Sequence, residues 1–372
     1  MPMLEIWKDV LGQEHQKKIL QKIYLSQKIP HAFLFSGTSG AGKYFTALRF
    51  CQLLNSDTSG ENKPGLTALK IANLSEPYVK FIMPLPRGKN ETGDNSSLEK
   101  LSKESLDEIQ SELNKKIDNP YYEIAVSNAN TIKISSIREI KKFVSINYDE
   151  IKYRLIIISN AHLMNDEAQN ALLKNLEEPP EGIIFILLTN NKNQLLDTII
   201  SRSWVIDFEP LQESHVIQLL KERFNIAPDL AGMIAPFANG SVTRALELLK
   251  YDFEQMKDKV INILRYSLAL KFYSAQKEMT SALGDSQSVT IKLIIQMITY
   301  WLNDAQRERI SFPAFYFSNN IETIQKFNRR FLKTNILSVI SNLNILERSI
   351  DSNVNLNIVA LSIILELSSL RY

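Results

Sequence analysis

The clearest chemistry in this chain is carried by seven residues, Gly37-Thr38-Ser39-Gly40-Ala41-Gly42-Lys43. They follow a short apolar run and precede a helical pattern over Tyr44 to Leu54, the setting a phosphate-binding loop requires. Glycines at 37, 40 and 42 let backbone N–H groups turn toward an anion. The helix N-terminus adds partial positive charge, and Lys43 can reach outer phosphates. The next position of such a loop holds a Ser or Thr whose hydroxyl coordinates magnesium; here it is Tyr44, whose phenol stands too far from the backbone to take that place. Two readings stay open: weak ATP or ADP binding, or a loop kept for its shape.

Hydrolysis asks for a second element. A buried strand must end in a carboxylate that holds the ion, and in many families another polarises the attacking water. Here Leu155-Ile156-Ile157-Ile158 is followed by Ser159-Asn160, neither of which carries the charge, and His162 does not replace them. The expectation is therefore no autonomous ATP hydrolysis. His31 and His162 read as structural, no metal-ligand set surrounds them, and no nucleophile and base pairing of the hydrolase type is visible. A lone cysteine, Cys51, supports neither an intramolecular disulfide nor a Cys-rich zinc module, so no zinc is expected.

Positioning these residues falls to an alternation of apolar β-rich runs with helical patterns, the habit of a parallel sheet with helices on its faces. Strands are predicted at Ala32 to Ser36, Val79 to Met83, Tyr122 to Val126, Arg154 to Ser159, Ile183 to Thr189 and Trp204 to Phe208. The runs at 154 and 183 are apolar nearly throughout, as a central strand covered on both faces should be. Between them a helix is bounded by Asn165 as N-cap and by Pro179-Pro180 after Glu178. Residues 86–97 are polar and rich in Gly and Asn and read as a mobile loop. Ser105 to Glu108 looks like a capping box opening a helix with Leu106, Ile109, Leu113 and Ile117 on one face, which makes 86–120 an excursion from the sheet domain.

From Pro210 the strand signals stop, and helices are predicted at about 213–224, 228–238, 242–249, 254–270, 286–309, 321–331, 335–349 and 355–370. The expected organisation is an α/β sheet domain over 1–209, a helical lid over 210–253 and a helical collar over 254–372. On the predicted helix 321–331 and just beyond, Lys326, Arg329, Arg330 and Lys333 read as a solvated face or as a contact for DNA or acidic partners. Tyr300, Trp301 and the Phe312 to Phe317 cluster read as bundle core before they read as a subunit contact.

The chain has 372 residues, 44% hydrophobic and 23% charged, an ordinary globular mixture long enough for two or three domains. Forty-three Lys plus Arg against 41 Asp plus Glu leave a formal charge of +2, so nothing points to a dedicated nucleic-acid coat protein. The longest apolar runs are too short to span a bilayer, and the N-terminus lacks the pattern of a secretion signal. A soluble cytoplasmic protein without a membrane partner is expected.

The motifs together resemble the clamp-loader branch of the AAA+ family. They are His31 to Ser36 with the glycine loop, Ala171 to Pro180 with its Leu-Glu-Glu-Pro-Pro ending, Phe185 to Thr189, Thr198-Ile-Ile-Ser-Arg-Ser203, and Gly12-Gln13-Glu14 near the start. The resemblance covers most of 10–209, and the helical remainder fits the branch's lid and collar by order and length. Motor subunits of that branch carry Thr after the lysine, Asp-Glu after the strand and Gly-Ser-x-Arg in the lid. This chain has Tyr44, Ser159-Asn160 and Gly240-Ser241-Val242-Thr243 with Arg244 displaced by one, yet keeps Ser201-Arg202.

That combination is similar to the delta-prime type of subunit in the bacterial DNA polymerase III clamp loader. The resemblance implies a non-hydrolysing subunit that presents Arg202 to a neighbour's ATP, with motor and delta-type subunits as partners. It implies indirect contact with the sliding clamp, and contact with primer-template DNA through the assembly. An autonomous ATPase, of the motor or branch-migration kind, is the alternative.

Overall fold

Five strands carry the first half of the molecule: β1 (Ala32–Gly37), β2 (Val79–Ile82), β3 (Arg154–Ile158), β4 (Ile183–Thr189) and β5 (Trp204–Phe208). They pair in parallel in the order β2-β3-β4-β1-β5, with Ala32 opposite Phe185 on one side of β1 and Phe33 opposite Trp204 on the other. The computed structural model describes residues 6–56, 64–89, 96–146, 150–283, 287–312, 315–352 and 354–371. Every residue of β3 and β4 is buried, as apolar strands covered on both faces must be, whereas β5 exposes Trp204 and Asp207 at the sheet edge. This is the α/β architecture with a parallel sheet expected from the sequence.

Helices α1 (Glu14–Ser26), α2 (Lys43–Leu54), α3 (Pro64–Ala72), α4 (Lys103–Asp118), α5 (Ile134–Ser145), α6 (Asp166–Glu177) and α7 (Asp197–Ser201) accompany the sheet. In α5, Ile137, Ile140 and Phe143 form an i, i+3, i+6 stripe that joins Ile156, Ile158, Leu172, Phe185 and Leu187 in one buried cluster. At the start of β3 the buried Arg154 is satisfied by carbonyls: its guanidinium donates to Phe143, to Ile146 at 2.6 Å and to Pro77 at 3.1 Å. Helix α6 starts as its sequence dictates, with Asn165 Oδ1 accepting the Ala168 N–H at 2.9 Å.

Two expectations need correction. Tyr122 to Val126 is not a strand, because its backbone is held by α4 side chains instead of a ladder. The buried Glu112 accepts the Ala125 N–H at 2.8 Å, and Lys116 Nζ donates to the Tyr122 carbonyl at 2.6 Å. Helix α4 begins three residues earlier than the capping box suggested. Ser102 is the N-cap, accepting from the Ser105 N–H at 3.3 Å, and of the predicted stripe Ile109 is buried while Leu106 is exposed. Within the expected mobile loop, residues 90–95 lie outside the described residues. Ser96 Oγ and the Ser97 N–H beside them donate to Glu139 at 2.9 and 2.7 Å.

The chain divides into two compact units, Met1–Ala245 and Leu246–Tyr372. Beyond the sheet the first unit holds α8 (Glu213–Glu222), α9 (Pro228–Ile234) and the first turn of α10 (Val242–Leu248). The second holds α11 (Phe253–Leu268), α12 (Phe272–Ala282), α13 (Gln287–Arg309), α14 (Ile321–Arg330), α15 (Ile336–Ser349) and α16 (Leu356–Ser369). Helix α12 has no counterpart in the sequence reading, because its buried residues, Ala275, Met279 and Ala282, are few and mostly small. Helix α13 is the central one, burying Ile291, Ile294, Ile295, Ile298, Trp301 and Leu302. Its fully buried Asp304 accepts the Tyr316 and Phe317 N–H groups at 3.1 and 2.7 Å, which anchors Phe317 in the core. No described helix is long and apolar enough to cross a membrane.

Candidate functional site

The glycine loop joins β1 to α2 and is braced from three directions. Gln13, held at φ +57° just before α1, donates its side-chain amide to Ala41 O at 3.1 Å and to Glu209 O at 2.6 Å, tying the loop to the end of β5. Gly40 (φ +75°) lies so close to residues 241–243 that a Cβ would stand 2.4 Å from Ser241 Oγ, so only glycine fits. The Val242 N–H then donates to Gly40 O at 3.2 Å.

The third brace is the segment after α4. Glu123 accepts from Ser39 Oγ at 2.7 Å, and Tyr121 packs its ring edge-on against Phe45 of α2 at 6.2 Å. Thr243 Oγ1 donates to the Tyr121 carbonyl at 2.5 Å.

Lys43 does not stand free in this setting. Its amine donates to the loop's own carbonyls, Gly37 O at 2.6 Å and Thr38 O at 2.7 Å. Burial pushes its pKa down to about 8, with the Glu123 carboxylate opposing. A second amine enters from α4. Lys116 Nζ donates to Pro120 O at 3.0 Å and lies 4.3 Å from the centre of the Tyr44 ring. Burial pushes the Lys116 pKa down to about 7, the charge of Lys43 adding and Glu123 opposing. Tyr44 is buried against Phe81, and burial raises its pKa. Tyr121 is pushed up to about 12, also by burial.

What remains over the loop is a cavity of about 70 Å³, bordered by Lys43, Tyr44, Lys116, Glu123, Ser159 and Asn160 among others. Ordinary ligand pockets run from about 300 to 1,000 Å³. With Lys43 engaged by carbonyls and Tyr44 in the hydroxyl position beneath a second amine, these residues do not fit a magnesium nucleotide. Beside the cavity, His162 shares a 3.1 Å hydrogen bond with Thr189 Oγ1, and burial and then the Lys43 charge lower its pKa. Among the described residues no three His, Cys, Asp or Glu gather as metal ligands.

The structure thus brings Gly37, Gly40, Gly42, Lys43, Tyr44, Ser159 and Asn160 into one corner. It also adds Lys116, Tyr121 and Glu123, which the sequence reading missed. Their only signal in the sequence was the Asn119-Pro120 stop after a helix.

Arg202 and Ser201 belong to a different corner. Arg202 is the C-cap of α7, two residues before edge strand β5, and does not border the cavity. Its guanidinium donates to Thr198 O at 3.1 Å and meets Glu177 Oε1 at 3.0 Å. The arginine is 37% exposed and the carboxylate 50%, so the pair is worth about 0–1 kcal/mol and holds the arginine loosely. Ser201 Oγ only closes on Thr198 O at 3.2 Å. Trp204, about half exposed, stands beside them on the sheet edge. Arg244 does not border the cavity, and its Nε donates to Phe237 O at 3.3 Å.

A family model described as "DNA polymerase III, delta subunit" matches residues 12–212. Among curated relatives, DNA polymerase III subunit tau of Bacillus subtilis is 29% identical over 248 residues, 65% of this chain and 37% of that protein. Subunit delta' of the same organism is 27% identical over 263 residues, covering 69% of this chain and 66% of its own. The chain therefore spans roughly one to two thirds of the relatives it matches. Among solved structures, a gamma subunit-related protein of Thermotoga maritima aligns at TM-score 0.43 and 16% identity over 95% of this chain and 99% of that one.

Proposed function

We propose, from the premise that the chain belongs to the DNA polymerase III, delta subunit family, that it is a non-hydrolysing, delta-prime-type subunit of a replicative clamp loader. In that role Arg202 is extended to the ATP of a neighbouring motor subunit. The observation that carries this reading is the contrast between a phosphate loop closed by the chain's own Lys116 and Tyr44 and an arginine tethered only by an exposed ion pair. A planar, always-charged guanidinium can bond two phosphate oxygens at once and stabilise the charge that develops on them during transfer. No step of that transfer is assigned to the loop of this chain.

Assembly with other subunits, and through them with the sliding clamp and primer-template DNA, is part of the proposal. Helix α16 supports it. One face, with Val359, Ile363 and Leu367, is buried, while Ile358, Leu361 and Leu365 form an exposed apolar stripe. Leu361→Asp should leave the circular dichroism spectrum unchanged and abolish co-elution with the other clamp-loader subunits. Retained co-elution would remove this face from the interface.

The test of the functional reading is the isolated protein. It should turn over ATP no faster than buffer and show no saturable binding of a fluorescent ATP analogue. Magnesium-dependent turnover near ~1 per second, abolished by Lys43→Ala, would favour the motor-type reading.

A further inference from the structure

Two sets of residues of different origin border the cavity over the phosphate loop: Gly40, Gly42, Lys43 and Tyr44 of the loop itself, and residues 120–124 of the strap that follows α4. The loop set keeps the features that receive an anion. Gly42, at φ +93°, is the N-cap of α2 and has no side chain to cap it, and the Thr46 N–H bonds Gly42 O at 2.9 Å. The N–H groups of Lys43, Tyr44 and Phe45 before it therefore have no partner inside the helix. The buried Tyr44 hydroxyl also has no hydrogen-bond partner among the described residues, which leaves a donor beside the cavity for an acceptor.

The strap takes the room that an anion would need. The Tyr121 ring lies so near Gly42 that a Cβ there would stand 3.8 Å from its Cε1 and Oη atoms. That ring is buried and bedded between Phe45 at 6.2 Å and Phe224 at 6.5 Å. Glu123, exposed and bordering the same cavity, accepts from Ser39 Oγ at 2.7 Å. Its charge opposes the effect of burial at Lys43, Lys116 and His162 alike, so the carboxylate is felt throughout the corner. No ladder fixes the strap. Side chains hold it instead: Glu112 at the Ala125 N–H, Lys116 at Tyr122 O and Thr243 at Tyr121 O.

We propose that this strap, and not the loop, is what excludes polyphosphate: Tyr121 fills the space over Gly42, and Glu123 sets a carboxylate beside Ser39, where it repels a second anion. The ligand class that the opened loop takes is a diphosphate group without magnesium, because Ser159 and Asn160 offer the ion no carboxylate. The free N–H groups at the start of α2 and the Lys43 amine are its donors. This exclusion rests on the closed loop of the proposed function and is independent of Arg202. A loop made inert by Tyr44 alone would gain nothing when the strap groups are removed.

The experiment titrates inorganic pyrophosphate into the full chain in magnesium-free buffer and reads binding by calorimetry. The wild type should show no saturable binding. Glu123→Gln, at an exposed position where the amide oxygen still accepts from Ser39, should bind with a Kd of about 1 mM. The double variant Tyr121→Ala/Glu123→Gln should bind about tenfold more tightly, and adding Lys43→Ala to it should remove that gain. Magnesium should not strengthen either. A double variant that does not fold leaves Glu123→Gln to decide. No binding by either variant would overturn this inference and leave the proposed function standing, and binding that ignores Lys43→Ala or requires magnesium would overturn it too. Saturable wild-type binding that Lys43→Ala abolishes would contradict this inference and the closed loop of the proposed function together.

Discussion

The phosphate loop and the Arg202 corner lie in the same unit on the same sheet, and they have opposite characters. Around the loop every charged group is spoken for from within. Lys43 is held by Gly37 and Thr38, Lys116 by Pro120 and Tyr122, and Ser39 by Glu123. At the other corner Arg202 has one backbone acceptor and one solvated carboxylate. A motif can thus survive as a structural brace while its ligand space is filled, and a single arginine can stay available because nothing buried depends on it. In the proposed function, the difference separates a loop that shapes the unit from a side chain offered to another one.

The sharpest way to break this comparison is at Arg202 in a reconstituted assembly. Arg202→Lys keeps the charge and loses the bidentate fork, so ATP turnover should fall about tenfold while complex formation survives. Wild-type turnover with lysine would mean that the position contributes charge alone.

A medium effect is expected at the loop, in stability. The folded pKa values of Lys43 and Lys116, about 8 and about 7, lie below the 10.5 of an unfolded lysine. Between about pH 7 and 10.5 the unfolded chain therefore binds more protons than the folded one. Stability should rise with pH across that window, with the full penalty present below it. In thermal melts the wild-type curve should climb from pH 7 to 9.5 by at least ~2 °C more than that of Lys116→Met. Parallel curves would show that Lys116 keeps its ordinary proton affinity and that the corner is wetter than described.

The smallest effect belongs to Glu177→Ala. An exposed pair contributes about 0–1 kcal/mol, so the melting temperature should barely move, and turnover in the assembly should stay level or rise as Arg202 is released. A large destabilisation would make the pair structural and remove the contrast.

Much of the sheet was legible in the sequence because β3 and β4 are apolar at nearly every position and Asn165 and Pro179 bracket α6. The glycine loop was legible because its backbone geometry admits few residues. Tyr122 to Val126 misled because it has the composition of a strand, while its hydrogen-bond partners, Glu112 and Lys116, are side chains on a helix ending four residues earlier. The closing of the loop by Lys116 and Tyr121 was invisible for the same reason, since a lysine on a helix pattern reads as solvated until its neighbours in space are known. The pairing of Arg202 with Glu177 spans 25 residues and two secondary-structure elements, beyond any local charge pattern.

The central claim is that this chain acts through Arg202 and not through its own phosphate loop. One measurement tests it most directly: ATP turnover by the reconstituted clamp loader carrying either Lys43→Ala or Arg202→Ala, with equal assembly verified by size. The account predicts that the Lys43 variant turns over ATP at the wild-type rate while the Arg202 variant loses about tenfold or more. Loss in the Lys43 variant with wild-type turnover in the Arg202 variant would contradict it.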